Sequence, residues 1–310
     1  MSRTKWQPYL YLAPAAIILL AFSIYPVFQA AHMSVYTDWG KKSERFAGLR
    51  NYDALLSRGE FWHSLAVSVW YAVGTVPVAL LLSFLIANLL FQKLRALGLY
   101  RVIYFLPYVT STVAAAIVWR WIFDPNDRGI VNSVFNWLGL PAQRWYQEAA
   151  GVFTLIGEHF GLSLPSWAGG PSLALVCVMI FSIWHALGFD IVIFLAGLSA
   201  IPKEMHEAAD IDGATAFQRL RHITLPLLSP TLFFLIVVSV IRSFQTFNQI
   251  YIMTPQESTG SAQNVTMLIF NKLWVDHQEC MAAAVALLLF LIVLGLTTFQ
   301  MRVLGPRVHY

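Results

Sequence analysis

The sequence predicts an all-α integral membrane protein with six transmembrane helices, and two observations support this prediction. Hydrophobic residues make up 58% and charged residues 12% of the 310 residues, and the mean hydropathy of +0.62 lies outside the range of soluble domains. Six apolar runs also reach the roughly twenty residues that a helix needs to cross about 30 Å of hydrocarbon. Lys and Arg are scattered, so the basic net charge does not indicate a nucleic-acid-binding surface.

The six runs define the predicted membrane domain, which covers the whole chain, 1–310. They are residues 9–31, 64–90, 102–123, 172–199, 227–252 and 281–301. The first run follows Arg3 and Lys5 and could be a signal peptide. We interpret it as a retained helix, because it is longer than a signal core and no A-x-A site closes it. The long loops between runs are 124–171 on one side of the membrane and 200–226 on the other.

The distribution of positive charge predicts the orientation. An even number of spans places both termini on one side, together with the 200–226 loop. That side carries ten Lys and Arg in about 50 residues, whereas the other side carries eight in about 100. Because cytoplasmic loops are enriched in Lys and Arg, we expect both termini and the 200–226 loop to be cytoplasmic.

The 200–226 loop contains a polar, helix-prone segment, EAADIDGATAFQRLRHITLP. Acidic residues suit the first turn of a helix after Pro202, and Gly213 permits a break before a second helix at about 215–222. The small side chains of Ala208 and Ala209 would let the first helix enter a groove on a partner, with Glu207 at the rim.

A second interpretation of this segment stays open on periodicity alone. Phe217, Leu220 and Ile223 could instead hold an amphipathic helix on the lipid headgroups.

The sequence shows no pattern of an enzyme or a metal site. Gly40-Lys41-Lys42-Ser43 lacks the earlier glycine of a phosphate-binding loop, since position 35 is Val. HExxH, GxSxG and paired intramembrane carboxylates are absent, and Cys177 and Cys280 stand alone. We therefore predict a non-catalytic chain without a cofactor or metal of its own. A channel remains an alternative, which co-purification with an ATP-binding subunit would distinguish.

The spacing within the polar segment is more specific than its periodicity. Glu207-Ala208-Ala209, then Gly213 after three residues, then Ile223-Thr224-Leu225-Pro226 after nine, resembles the EAA loop of bacterial ABC importer permeases. The segments FAGLRNYDALL, YFLPYVTSTVAAAIVWRWIFDPNDRGIVNSVFNWLGL and FNQIYIMT are similar to the carbohydrate-uptake branch that contains maltose and glycerol-3-phosphate permeases.

This resemblance implies a type I importer permease fold in the bacterial inner membrane, with a cytoplasmic coupling helix. The residues expected to couple to the ATPase are Glu207, Ala208, Ala209, Asp212 and Gly213. The implied partners are a homologous second permease, two ATP-binding subunits that carry ATP and Mg, an external substrate-binding protein and membrane lipid. The implied substrate is a di- or oligosaccharide, with glycerol-3-phosphate or a related phosphodiester as the alternative.

The resemblance also implies a substrate pathway near the bilayer middle, lined by the LPY helix and by the spans that flank the EAA loop. The matching positions are Tyr108, Thr112, Ser182, His185, Ser239, Ser243 and Thr246. The last three are spaced i, i+4 and i+7, which places them on one helix face. Hydroxyl groups in membrane helices also bond their own backbone, so packing remains an alternative role for each of these residues.

Two charges inside spans need partners or a polar cavity, because isolated charges in the bilayer are costly. Counting at about 1.5 Å per residue places Asp190 about 15 Å and Arg242 about 21 Å from the cytoplasmic ends of their helices. We predict an ion pair between them, with contact between Arg242 and substrate as the competing hypothesis.

Arg120, between two Trp residues near the outer end of span three, is predicted to be an interfacial anchor rather than a gate for an anion. The chain departs from the family pattern at 255–258, where Gly-Gly-Pro is usual, and in a long outer segment at 141–171. Both departures lie on the face where the binding protein is expected to dock.

Overall fold

A computed structural model describes residues 7–91, 97–126, 129–163, 165, 168–254 and 259–307. Within these ranges, four helices are long and apolar enough to cross a membrane. Two further pairs of apolar helices, bent by 96° and 65° at short breaks, raise the number to six if each pair forms one span. The predicted all-α class is confirmed, and the departure at 255–258 lies outside the described residues.

The elements are α1 (Gln7–Leu19), a π-helical turn (Leu20–Ile24), α2 (Tyr25–Met33), β1 (Tyr36–Thr37), β2 (Arg45–Phe46), α3 (Arg50–Ser57), α4 (Gly59–Phe91), α5 (Leu97–Val109), α6 (Thr112–Ile122), α7 (Ile130–Trp137), a 3₁₀ turn (Trp145–Gln147), α8 (Val152–His159), α9 (Leu173–Ser199), α10 (Lys203–Ile211), α11 (Ala216–Arg219), a π-helical turn (Leu220–Thr224), α12 (Leu225–Leu227), α13 (Ser229–Phe244), α14 (Asn248–Met253), α15 (Thr259–Ala262), α16 (Val265–Phe270), a π-helical turn (Asn271–Val275), α17 (Glu279–Leu304) and a 3₁₀ turn (Gly305–Arg307). They form two compact units. One contains the chain up to Trp62 and Val265–Ile292, and the other contains His63–Asn264 and the chain from Val293.

In the first unit, a short hairpin follows the first apolar helix. β1 and β2 pair antiparallel, with Tyr36 opposite Phe46. The buried side chain of Asn51 donates to the carbonyls of Ser34 and Tyr36, at 2.7 and 2.8 Å. These bonds satisfy backbone groups that the two-residue strand leaves free, and they fix α3 against the hairpin.

The same unit contains a buried lysine. Lys272 Nζ lies 2.8 Å from Asp276 Oδ2 and 3.0 Å from Glu60 Oε2. Burial lowers the pKa of Lys272, but the hydrogen bonds to Asp276 and Glu60 and their negative charges outweigh burial, so its pKa is raised above the ordinary 10.5. Lys272 therefore stays charged and joins α4 to the π-helical turn after α16.

In the second unit, the predicted continuous helix over 102–123 is wrong in detail, because the span is broken. α5 and α6 meet at 96°, and Ser111 between them has an extended ψ of 121°. Pro107 in the last turn of α5 cannot donate a backbone hydrogen bond, and the Thr110 hydroxyl bonds the Leu106 carbonyl at 2.8 Å. Both features weaken the helix at this point.

Close packing holds α5 against α9. At Gly188, a Cβ atom would lie 2.9 Å from the Tyr104 carbonyl oxygen and 2.9 Å from Tyr108 Cβ. Only the absence of a side chain at Gly188 lets the two backbones approach this closely.

The fifth predicted run, 227–252, also divides into two helices. α13 ends at Phe244, and α14 begins at Asn248 and packs against α6. The carbonyl of Thr246, inside the break, accepts a 2.6 Å hydrogen bond from the buried Asn264 side chain. This bond replaces one that a continuous helix would have made.

One buried side chain, Asn132, holds the first part of the 124–171 loop. Asn132 Nδ2 donates to the carbonyls of Pro125 and Gln143, at 2.9 and 3.0 Å. Asn132 Oδ1 accepts from Trp145 Nε1 at 2.7 Å and from the Gln143 backbone at 3.0 Å. Asn132 thus ties α7 to the 3₁₀ turn that follows it.

Candidate functional site

A cavity of about 470 Å³ lies in the second unit among α4, α5, α9, α13 and α14. Each of these helices is apolar as a whole, but each turns polar side chains toward the cavity.

The structure brings together most of the residues predicted for the substrate pathway. Six of the seven line the cavity, namely Tyr108, Ser182, His185, Ser239, Ser243 and Thr246. The seventh, Thr112, is not among the lining residues, but its hydroxyl lies 3.3 Å from His185 Nε2. Thr112 opens α6 directly after the break in span three, so its hydroxyl bridges from that helix to a cavity residue.

Two of the three hydroxyls predicted on one face of span five also bond their own helix. Ser243 Oγ donates to the Val240 carbonyl at 2.7 Å, and Thr246 Oγ1 donates to the Arg242 carbonyl at 3.2 Å. Ser243 and Thr246 therefore line the cavity, as predicted, and at the same time bond to their own backbone, as the alternative supposed. A hydroxyl that donates to a backbone carbonyl still has lone pairs that can accept from a ligand.

Aromatic rings form another part of the cavity wall. The Tyr108 ring lies 5.4 Å from the Phe189 ring and 6.1 Å from the His185 ring, measured between centroids. Such rings offer a sugar an apolar face, and Tyr and His add polar atoms at the edge.

The two intramembrane charges both line the cavity, but the predicted ion pair is not formed. In the described part of the chain, no ion pair within 4.0 Å joins Asp190 and Arg242. The Arg242 guanidinium carbon lies instead 4.2 Å from the centroid of the Phe189 ring. Phe189 and Asp190 are consecutive on α9, so their side chains point about 100° apart. The depth count therefore placed both charges at one cavity, although they form no ion pair within 4.0 Å.

Five polar cavity residues were missed by the sequence analysis, namely Tyr71, Thr75, Gln245, Asn248 and Gln249. Tyr71 and Thr75 lie one turn apart on α4, and Asn248 and Gln249 open α14. The i, i+4 pair of polar side chains inside an apolar run was a usable signal for Tyr71 and Thr75. The break at 245–247, which turns Asn248 and Gln249 toward the cavity, left no clear signal in the sequence.

The polar segment between α9 and α13 forms the predicted helix, turn and helix. Gly213 has a φ of +70°, its N–H bonds the Asp210 carbonyl at 3.2 Å, and the Ala214 N–H bonds the Ala209 carbonyl at 2.9 Å. These two bonds are those of a Schellman motif, which ends α10 and needs a left-handed residue at this position.

Two further contacts hold the turn. Thr215 and Gln218 form a reciprocal capping box at the start of α11. An ion pair joins Arg219 of α11 to Asp210 of α10 across the turn. The relative positions of α10 and α11 are therefore fixed by a backbone motif and by side chains.

The predicted coupling residues present an open surface. Ala209 is buried, whereas Glu207, Ala208, Asp212 and Gly213 are exposed. Beside them, Ile211 is 87% exposed and Phe217 is 67% exposed. Apolar side chains this exposed next to charged ones are typical of a surface that contacts a partner or a lipid headgroup layer.

Comparison with known proteins gives consistent similarities. Residues 54–310 match the family model described as the binding-protein-dependent transport system inner membrane component. The sn-glycerol-3-phosphate transport system permease protein UgpA of Agrobacterium fabrum is 32% identical over 308 residues, covering 99% of this chain and 97% of the relative. The trehalose/maltose transport system permease protein MalF of Thermococcus litoralis is 30% identical over 296 residues, covering 95% and 92%.

A similar fold occurs in the crystal structure of a bacterial ABC transporter involved in the import of the acidic polysaccharide alginate. One chain of that structure matches with a TM-score of 0.76 at 20% identity, covering 97% of this chain and 96% of that chain. At this identity the match describes the fold alone.

Proposed function

Because the chain belongs to the family of inner membrane components of binding-protein-dependent transport systems, we propose that it moves a di- or oligosaccharide into the cytoplasm by ATP-driven alternating access. The chain is a non-catalytic permease subunit of an ABC transporter. Hydrolysis of ATP, with its Mg, then belongs to separate partner chains.

The cavity among α4, α5, α9, α13 and α14 is the observation that carries this proposal. It collects hydroxyl groups, aromatic rings and a histidine from helices far apart in sequence. Its volume of about 470 Å³ is within the usual range of small-ligand sites. Hydroxyl donors and acceptors together with ring faces match the chemistry of a sugar, which presents hydroxyls at its edge and C–H groups on its faces.

The surface of α10 and α11 supports the coupling part of the proposal. Rigid turn geometry and exposed Ile211 and Phe217 suit a helix that inserts into a cleft of an ATPase subunit. Closure of two ATPase subunits on ATP would then move α10, and with it α9 and α13, as rigid bodies.

The proposed assembly also contains a homologous second permease and an external substrate-binding protein. The family description names dependence on a binding protein, and the relatives are named as sugar and glycerol-3-phosphate permeases. We place both termini in the cytoplasm from the density of Lys and Arg.

The test is uptake of labelled oligosaccharides by the complete complex in proteoliposomes. Ser239→Phe should fill the cavity and abolish ATP-dependent uptake while the complex still assembles. Val69→Phe, on the exposed side of α4, is the matched control and should transport normally. Full uptake by the Ser239→Phe complex would show that substrate does not pass through this cavity.

Glycerol-3-phosphate or a related phosphodiester is the second candidate substrate. It is favoured by the name of the 32% identical relative and by a cation in the cavity. The same vesicles, supplied with labelled glycerol-3-phosphate, decide between the two candidates.

A further inference from the structure

The cavity contains a cation, Arg242, that forms no ion pair within 4.0 Å in the described part of the chain. Arg242 and Asp190 are the charged residues among those that line it. The Arg242 side chain is exposed, and in the described part of the chain it has neither an ion pair nor a hydrogen-bond acceptor. It rests on the Phe189 ring, 4.2 Å from the centroid.

This resting position leaves the guanidinium ready for a ligand. Stacking on a ring uses the flat face of the guanidinium and leaves the N–H groups at its edge unused. Those N–H groups form a planar fork that fits a carboxylate or a phosphate with two parallel hydrogen bonds. Within an apolar bundle, few other groups can satisfy them.

The carboxylate of Asp190, in contrast to the exposed Arg242 side chain, is buried. It is 2% exposed, and its Oδ2 has no hydrogen-bond partner in the described part of the chain. A buried carboxylate without a partner is costly, and Arg242 of α13, which stacks on the neighbouring Phe189 ring, is the cavity cation that would relieve it.

We propose that Arg242 binds an acidic group of the transported substrate, and that Asp190 is the internal carboxylate that competes with the substrate for Arg242. The substrate class is then a polyhydroxylated ligand with a carboxylate or phosphate, rather than a neutral sugar. This inference rests on the proposed transport function and narrows its substrate.

If Asp190 competes with the substrate for Arg242, loss of either charge should change the affinity for an anionic ligand, and in opposite directions. Loss of Arg242 should weaken binding of an anionic ligand, whereas loss of the Asp190 charge should strengthen it. A purely structural Asp190 would give no gain when it is replaced. Arg242→Lys keeps the charge but loses the fork, so it should retain the attraction for anions and bind the ligand less well.

The first test measures the charge of the cavity and needs no knowledge of the substrate. Ser239 is replaced by Cys in the assembled complex, and the rate at which this cysteine reacts is measured with two thiol-specific thiosulfonate reagents. One reagent carries an anionic sulfonate group, and the other carries a cationic trimethylammonium group. Cys177 and Cys280 are buried, and the unmodified complex measures the background. We expect the ratio of anionic to cationic reaction rates to fall about tenfold with Arg242→Gln and to rise with Asp190→Asn.

The second test uses paired ligands in proteoliposomes. A glucuronic acid disaccharide is compared with its glucose counterpart, and glycerol-3-phosphate with glycerol, so that the carboxylate and phosphate arms are separate. Arg242→Gln should reduce uptake of the acidic member at least tenfold, and Asp190→Asn should lower the concentration needed for half-maximal uptake.

An unchanged rate ratio in Arg242→Gln, or a cysteine that neither reagent reaches, overturns the proposal. So does a complex that imports only neutral sugars, equally well with and without Arg242. That last result would leave the proposed transport function intact, whereas a complex that imports no ligand of any kind would refute the transport function itself.

Discussion

Replacement of Gly213 by Val tests the link between the α10–α11 turn and transport. Gly213 has a φ of +70°, and a Cβ atom there would meet no other atom within 4 Å. The substitution therefore creates no clash, and its cost is entirely in the backbone. An L-residue in the left-handed region costs about 1–2 kcal/mol, and a β-branched one lies at the upper end. Because about 1.4 kcal/mol is a factor of ten, the turn should lose roughly ten- to thirtyfold in population against alternative conformations.

The assay compares ATP hydrolysis and sugar uptake by the reconstituted complex. We expect Gly213→Val to lower the number of sugars transported per ATP, while the external binding protein binds its ligand normally. Gly213→Asn is the matched control, because Asn adopts the left-handed conformation at a small cost and should stay close to the wild type. A Gly213→Val complex with normal expression and a normal ratio of uptake to hydrolysis would refute the role of this turn in coupling.

Three other substitutions have defined expected outcomes. Arg120→Gln should leave uptake near wild type, because Arg120 lies 5.4 Å from the centroid of the Tyr146 ring and donates to the Ile252 carbonyl at 3.4 Å, as an anchor would; lost uptake in an assembled complex would indicate a gate instead. Lys272→Met should lower the free energy of unfolding in detergent by about 1–2 kcal/mol, less than for a fully buried pair because both carboxylates are partly exposed. Since its pKa is raised, the Lys272 contribution is present at neutral pH and is lost only as pH rises through the folded-state pKa, which a pH series of melting curves would show. Asn132→Leu should make the outer segment sensitive to protease, because it leaves two buried donors without acceptors, at about 1–3 kcal/mol each; unchanged digestion would contradict this role.

The sequence was sufficient for the helical class, for the Gly213 turn and for eight of the seventeen residues that line the cavity. Ser239, Ser243 and Thr246 were named from the resemblance to carbohydrate permeases, and their i, i+4 and i+7 spacing then placed them on one helix face. The Schellman turn was predictable because glycine is the residue that the left-handed position requires.

Other features depend on tertiary contacts that no local pattern records. The break after Phe244 depends partly on Asn264, which is distant in sequence, whereas Pro107 and Thr110 were local signals for the break after Val109. Asp190 and Arg242 line one cavity but form no ion pair within 4.0 Å, because a count along a helix gives the height of a side chain and does not fix its direction.

The broken third span has a mechanical consequence. A straight helix transmits a push from one end to the other, because its hydrogen bonds run without interruption. Here the helical hydrogen bonds are interrupted at Ser111, so the span consists of two helices joined at a 96° bend. The first of these helices, α5, packs closely against α9 at Gly188, and the second, α6, packs against α14. Tyr108, which lines the cavity, precedes the bend, and Thr112, which bonds the cavity residue His185, follows it. A small change in the angle of the bend would therefore alter the width of the cavity.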